Sequence, residues 1–242
     1  PNLRHDSGAT MADFSLTPER QLLFSQKHAK HLLVYSREDL LRIVALAKKH
    51  GVIVISDEIH APLTFKEQPF TPFLALGEDA ADVGVAVNAA SKGWNIAGLK
   101  CAIIISQSAK MHEKLNELPP ALHYRASLLG AFATVAAFEK GELWLDTVLD
   151  QLDHNRKLIA EQIKEKIPTI GYTVPHCSYL AWLDVSKLNL GEDPGAALVK
   201  RAKVAFNPGH IYGASGKDYV RLNFATSPEI IIEAFNRMAR AL

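Results

Sequence analysis

Val52-Ile53-Val54-Ile55-Ser56-Asp57-Glu58-Ile59-His60 is the stretch on which the fold turns. Its first four residues are apolar, β-branched and unbroken by any polar position. That pattern belongs to a parallel strand covered on both faces, not to a half-exposed strand of alternating character. Immediately upstream, Ser36 caps a helix with Asp39 at its third position, Leu40, Ile43, Val44 and Ala47 recur at helical spacing, and Gly51 closes it after Lys48-Lys49-His50. Downstream, strands are expected over residues 83–88 and 102–106, and helices over 110–118, 126–139 and 143–166. Helix alternating with buried strand gives an α/β domain with a parallel or mixed sheet. Within it, Leu128, Phe132, Val135 and Phe138 form a helical stripe that reads as core.

Near Ile167-Pro168 the character changes. Short strands over 172–174, 179–184 and 219–225, with helices over 196–202 and 228–242, predict a smaller α+β domain, and the 143–166 helix bridges the two. The expected division is an unassigned segment 1–34, a large α/β domain 35–150 and a small domain 151–242. In the first segment, Thr17-Pro18 opens a short amphipathic helix through Leu22, Leu23 and Phe24.

With 242 residues, 48% hydrophobic and 22% charged, the chain is a folded one rather than a disordered one. Its 27 Lys+Arg are interleaved with 26 Asp+Glu, for a net charge of +1, which argues against nucleic acid as a partner. No apolar run reaches the roughly 18 residues of a membrane helix. Two cysteines, Cys101 and Cys177, make no disulfide framework, so a reducing, cytoplasmic setting is expected. His28 and His31 lack the further ligands of a metal site, so no metal is expected. No Gly-x-Ser-x-Gly elbow and no Walker A sequence occurs.

Three places can carry chemistry. Asp57 follows the first strand, and in open α/β sheets ligands bind beyond the carboxyl ends of strands; the alternative is an aspartate that only caps its own turn. The run Asn88-Ala89-Ala90-Ser91-Lys92-Gly93-Trp94-Asn95-Ile96-Ala97-Gly98-Leu99-Lys100 takes a later strand into a lysine among small residues, with a second lysine beyond. Small neighbours admit a bound group close to the backbone, and two amines suit an anionic ligand plus a nucleophile; the alternative is a solvated surface lysine. Arg221 interrupts an apolar strand, where a guanidinium needs a carboxylate, from a ligand or from an internal Asp or Glu. An acid at one strand end and a Ser-Lys at another are what pyridoxal 5'-phosphate requires: a Schiff-base lysine and a carboxylate for the pyridinium nitrogen.

Ser56-Asp57-Glu58-Ile59-His60, the 91–100 run and Tyr219-Val220-Arg221-Leu222-Asn223-Phe224-Ala225 together resemble the class I/II aminotransferase-fold, or fold-type I, pyridoxal phosphate enzymes, and within them the cystathionine β-lyase type of carbon-sulfur lyase. The resemblance covers residues 35 to 242. It implies a three-layer, PLP-transferase-like large domain, here incomplete, and a smaller α+β domain. It also implies that Lys92 carries the cofactor and is catalytic, that Asp57 pairs with the pyridinium, that Asn88, Ser91 and Lys100 serve the phosphate, and that Arg221 binds the α-carboxylate of an amino-acid substrate. His60 stands where transaminases of this fold place a tyrosine, which is the lyase subgroup's habit; Ala89 stands where many relatives place a hydroxyl. A homodimer is expected on the same ground. Ahead of Tyr35 the chain reads Lys27-His28-Ala29-Lys30-His31-Leu32-Leu33, without the Asn-Pro-x-Gly segment of the family, so it is expected to correspond to the C-terminal portion of such an enzyme. The implied activity is a carbon-sulfur β-lyase acting on cystathionine or related cysteine conjugates, with an aminotransferase and a non-catalytic interaction module as alternatives. A further expectation is an exposed apolar sheet edge and face.

Overall fold

The computed structural model describes residues 22–25 and 34–242 of the chain. Two compact units result, with the described residues dividing between Thr147 and Val148. In the first unit, helix α1 (Arg37–His50) forms for the local reasons its sequence carries: Ser36 Oγ accepts from Asp39 N at 3.1 Å and donates to Asp39 Oδ2, while Gly51 takes the left-handed conformation at φ 63°. The four strands are β1 (Leu22–Ser25), β2 (Val54–Asp57), β3 (Gly84–Asn88) and β4 (Ile103–Ile105), hydrogen-bonded in that order. β1, β2 and β3 are parallel and β4 runs antiparallel to β3.

Two strand expectations about this unit are corrected. Leu22, Leu23 and Phe24 lie in a strand paired with Val54, Ile55 and Ser56, not in a helix; Thr17 and Pro18 lie outside the described residues. The strand signal at residues 52–55 is realised two residues later, because Val52 N donates to Ala47 O and so finishes the helix closure before the sheet begins.

Short helices α2 (Glu78–Val83) and α3 (Ala90–Gly93) connect β2 to β3 and β3 to β4, and α4 (Ala109–Asn116) and α5 (Leu128–Lys140) follow β4. The core gathers Leu40, Ile43, Val44 and Ala47 of α1 against Val52, Val54, Phe73, Val83 and Ala86. Gly84 opens β3 because the Phe73 ring occupies its side-chain position: a Cβ there would sit 2.4 Å from Phe73 Cε1. Truncating such a fully buried ring to alanine costs about 3–5 kcal/mol.

The stripe read as core is exposed. Leu128 is 72% and Phe132 66% accessible, and Val135 and Phe138 are exposed with them. The helical period is right but the inward face is the other one: Gly130, Thr134 and Ala137 are buried, and a Cβ on Gly130 would lie 2.2 Å from Leu99 O. Small residues bring α5 close to the 97–101 backbone, which turns the large ones outward. Ile103, Ile104 and Ile105 of β4 are exposed as well. Successive strand residues face opposite ways, so both faces of β4 are bare, as the sequence reading expected of the sheet edge.

Helix α6 (Glu142–Lys166) runs from the first unit into the second. The second unit contains an antiparallel sheet of β5 (Gly171–Tyr172), β6 (Leu180–Asp184), β7 (Asn207–Pro208) and β8 (Tyr219–Asn223), in the order β5-β6-β8-β7, with helices α7 (Pro194–Ala202) and α8 (Pro228–Ala241). Ala181, Leu183, Val220 and Leu222 are buried on one face of this sheet, and α7 packs against both β8 and α8. On α6, the fully buried Asn155 donates to Phe224 O (2.9 Å) and Thr226 O (2.8 Å) and accepts from Gln151 Nε2, so its polar groups are satisfied. Buried Arg156 is likewise satisfied by Asp153 and Pro175 O. Burial pushes the Cys177 thiol up to about 12, which leaves it an unreactive core residue, and neither it nor Cys101 is in a disulfide. Among the described residues no helix is long and apolar enough to cross a membrane, and no cluster of His, Cys, Asp and Glu could hold a metal ion.

The bare β4 and α5 surface predicts strong binding of the hydrophobic dye bis-ANS by the folded chain. Phe132→Lys with Ile104→Lys should lower the dye fluorescence severalfold and reduce self-association on sizing chromatography, with the circular dichroism spectrum retained.

Candidate functional site

The parallel pairing of β2 with β3 sets Asp57 opposite Val87, so both carboxyl ends open on the same side of the sheet. Asp57 ends β2, and its Oδ1 accepts from Ile59 N at 3.2 Å, turning the chain sharply out of the strand. Asn88 ends β3 and turns its own Oδ1 onto Ala89 N at 2.8 Å. The chain then enters α3, which carries Ser91 and Lys92, both partly accessible. Lys100 belongs to the same end of the sheet: antiparallel β4 begins with Ile103 opposite Asn88, and Lys100 stands just ahead of it, exposed, in the left-handed conformation at φ 52°. Its carbonyl accepts from Ser127 N at 3.0 Å.

His60 is buried and leads into the 3-10 turn Ala61–Leu63. That turn packs against α3, and Gly93 is the point of contact, since a Cβ there would lie 3.0 Å from Pro62 Cβ. The loop after β2 and the lysine helix after β3 are therefore in direct touch. Trp94 fixes the far side of α3: its indole N–H donates to Gly141 O at 2.9 Å and its ring meets Phe138 edge-on at 4.9 Å. Gly141 has no room for a Cβ, which would sit 2.2 Å from Trp94 Nε1.

Sequence reasoning missed three features of this region. Glu58 is only 5% exposed; its Oε1 accepts from Phe73 N at 2.8 Å and from Ser56 Oγ at 3.0 Å, tying the exit of β2 to the core. Burial raises its carboxyl above the ordinary range, against the pull of those two hydrogen bonds. Thr64 holds a buried hydroxyl with no hydrogen-bond partner among the described residues. The Trp94–Gly141 bond joins residues too distant in sequence for any motif to show it.

Arg221 lies in the other unit, in the middle of β8, opposite Trp182 of β6 and Asn207 of β7. No Asp or Glu among the described residues stands within ion-pair distance of it. Its Nε is buried without a partner, its Nη2 approaches Asn207 Oδ1 at only 3.5 Å, and its Cζ sits 4.6 Å from the centre of the Tyr212 ring. A buried donor left open in this way costs free energy until an acceptor arrives.

Carboxylate, imidazole, amide, hydroxyl and amine gathered at the carboxyl ends of two parallel strands, with alanine and glycine spacers, form a donor set that fits pyridoxal phosphate. The architecture is a PLP-transferase-like α/β fold. The chain belongs to the aminotransferase class I and II family, whose model matches residues 33–238. The cystathionine β-lyase PatB of Bacillus subtilis is 36% identical over 214 residues, 86% of this chain and 54% of PatB; the cystathionine β-lyase of Corynebacterium glutamicum is 34% identical over 91% of this chain and 59% of its own. Cystalysin from Treponema denticola, whose crystal structure contains a pyridoxal 5'-phosphate cofactor, superposes with a TM-score of 0.83 at 26% identity, over 92% of this chain and 57% of that one. The chain thus spans about half the length of the curated relatives it matches. Relatives named for β-lyase activity match at 34–38% identity, and two named as aminotransferases at 30% and 26%.

Because burial raises the Glu58 carboxyl, the folded state binds its proton more tightly than the unfolded state does. Ionised Glu58 therefore costs stability above the folded value, and that cost fades as pH falls below the ordinary carboxylate value. Glu58→Gln keeps the acceptor and removes the charge, so its thermal unfolding midpoint at pH 7 should equal or exceed that of the natural chain, with the difference vanishing in acid. Glu58→Ala should lose about 1–3 kcal/mol in denaturant unfolding by orphaning Phe73 N.

Proposed function

We propose that this chain carries the catalytic lysine and the substrate-carboxylate arginine of a pyridoxal 5'-phosphate-dependent carbon-sulfur β-lyase, acting on cystathionine or related cysteine conjugates. The observation that carries the proposal is the arrangement at the β2–β3 ends, where Asp57 leaves one strand and Lys92 follows the next on a helix packed against the Asp57 loop. In this reading Lys92 would hold the cofactor, Asp57 would pair with its ring nitrogen, His60 would bind the cofactor as well, and Asn88, Ser91 and Lys100 would serve the phosphate. When bound, pyridoxal phosphate supplies an electron sink for the pair released at Cα.

The protein's own residues supply the rest. Arg221 offers an unpartnered N–H to the substrate α-carboxylate, a charge-assisted bond that a lysine could not reproduce in the same plane. Once the substrate's own amine has replaced it on the cofactor, the released Lys92 amine would take the Cα proton as general base. The Cβ–S bond then breaks, the sulfur leaves as thiolate and takes up a proton, and hydrolysis of the three-carbon remainder gives pyruvate and ammonia. Asp57 would accept a hydrogen bond from the protonated ring nitrogen and so favour the electron-withdrawing form of the ring. Relatives named as lyases, at higher identity than those named as aminotransferases, favour elimination over transamination. The same reading includes a homodimer, a cytoplasmic setting, and domain boundaries at 35–150 and 151–242.

The chain incubated with pyridoxal phosphate should develop an absorbance band that Lys92→Ala lacks, and should release pyruvate from cystathionine without any keto acid. Arg221→Lys should raise KM about ten- to a hundredfold, in line with the loss of a bidentate charged bond. Strict dependence on a keto acid would instead make the enzyme an aminotransferase, and a spectrum unchanged by millimolar cofactor would leave a non-catalytic interaction module.

A further inference from the structure

The sheet of the second unit has a face that the core does not use. Trp182, Tyr219 and Arg221 share it, since Trp182 is opposite Arg221 and Tyr219 lies two residues from Arg221 along β8. On it, Tyr219 stacks on Trp182 with ring centroids 5.4 Å apart and planes 12° from parallel. Trp182 meets Tyr212 edge-on at 5.7 Å and 78°, and the Arg221 guanidinium lies over Tyr212 at 4.6 Å. Three rings thus run in series and end against the arginine.

The backbone is shaped to deliver the last ring. Tyr212 closes a 3-10 turn that begins at Gly209. A Cβ on Gly209 would fall 2.2 Å from Gly216 O and 2.6 Å from Tyr219 O, and one on Gly216 would fall 2.3 Å from Gly209 O. Gly213, which follows the tyrosine, has φ 117°, a conformation that only glycine takes readily. Two glycines pressed together let the turn drop onto β8, and a third lets the chain leave it, so Tyr212 reaches a side chain nine positions further along.

We propose that Tyr212 is the positioning residue for Arg221, with Trp182 and Tyr219 as its buttress. A ring holds a guanidinium by its face, whereas hydrogen bonds use its edge. Tyr212 fixes the plane of the cation and consumes none of its N–H groups, which is why Nε is buried and still unpartnered. The inference rests on the reading of Arg221 as the carboxylate receptor and adds how that receptor is kept aimed: a preorganised cation loses less freedom when the carboxylate arrives.

The test uses the full, cofactor-loaded chain with 15N-labelled arginine, titrated with L-alanine and followed at the Arg221 Nε–Hε resonance. In the natural protein the ring current of Tyr212 should move this resonance away from that of an exposed arginine. Tyr212→Leu, and Tyr212→Met should the first fail to fold, should return it toward the exposed value and weaken L-alanine binding roughly three- to tenfold. Tyr212→Phe should preserve both. A resonance unmoved by loss of the ring, or binding that Arg221→Ala weakens while Tyr212→Leu does not, overturns the proposal. Binding indifferent to Arg221→Ala, with the resonance still moving in Tyr212→Leu, overturns instead the carboxylate reading of Arg221.

Discussion

The parallel pairing of β2 with β3 is the constraint from which the first unit follows. Its register sets Asp57 against Val87, and the next backbone bond, from Glu58 N to Val87 O at 2.8 Å, carries the pairing just past the end of the strand. Parallel strands must be joined by a crossover on the sheet face, and the core that fills that space is built from α1, α2 and the Phe73 turn. Once the register is fixed, the acid leaving one strand and the lysine following the other cannot be far from the same edge. Glu58 adds a local lock, because an ionisable group placed in the core must keep its partners, and both of those partners are parts of the β2 exit.

What could be read from the sequence was whatever local chemistry decides. Ser36 and Gly51 bound α1 as their residue types require. The order of strands and helices followed from the β-branched run at 52–55 and the periodic segments after it. Pairing and facing were not legible in the same way. Leu22-Leu23-Phe24 has the apolar content of either a helix or a strand, and the choice was made by the free edge of β2, thirty residues away. In α5 the period was correct and the direction reversed: close approach at Gly130 to Leu99 O outweighed the burial of larger side chains, which the count of apolar positions could not show.

The site divides along the same line. Asp57, Asn88 and Lys92 were legible as candidates because each ends or follows a strand whose pattern is plain, and Arg221 because a charge in an apolar strand calls for a partner. Tyr212 was hidden: its relation to Arg221 is made by a glycine-to-glycine contact and by pairing of β6 with β8, neither of which has a sequence period. Trp94 was visible as part of a motif, yet its role as the pin between α3 and Gly141 depends on the chain returning after α5. Both are cases in which a backbone with no space for a methyl group lets an aromatic ring reach and orient a functional segment.

The measurement that bears most directly on the account is the location of the cofactor. Borohydride reduction of the protein incubated with pyridoxal phosphate, followed by peptide mapping, should place a single pyridoxyl group on the peptide containing Lys92. Label spread over several surface lysines, or concentrated on a lysine other than Lys92, would contradict it.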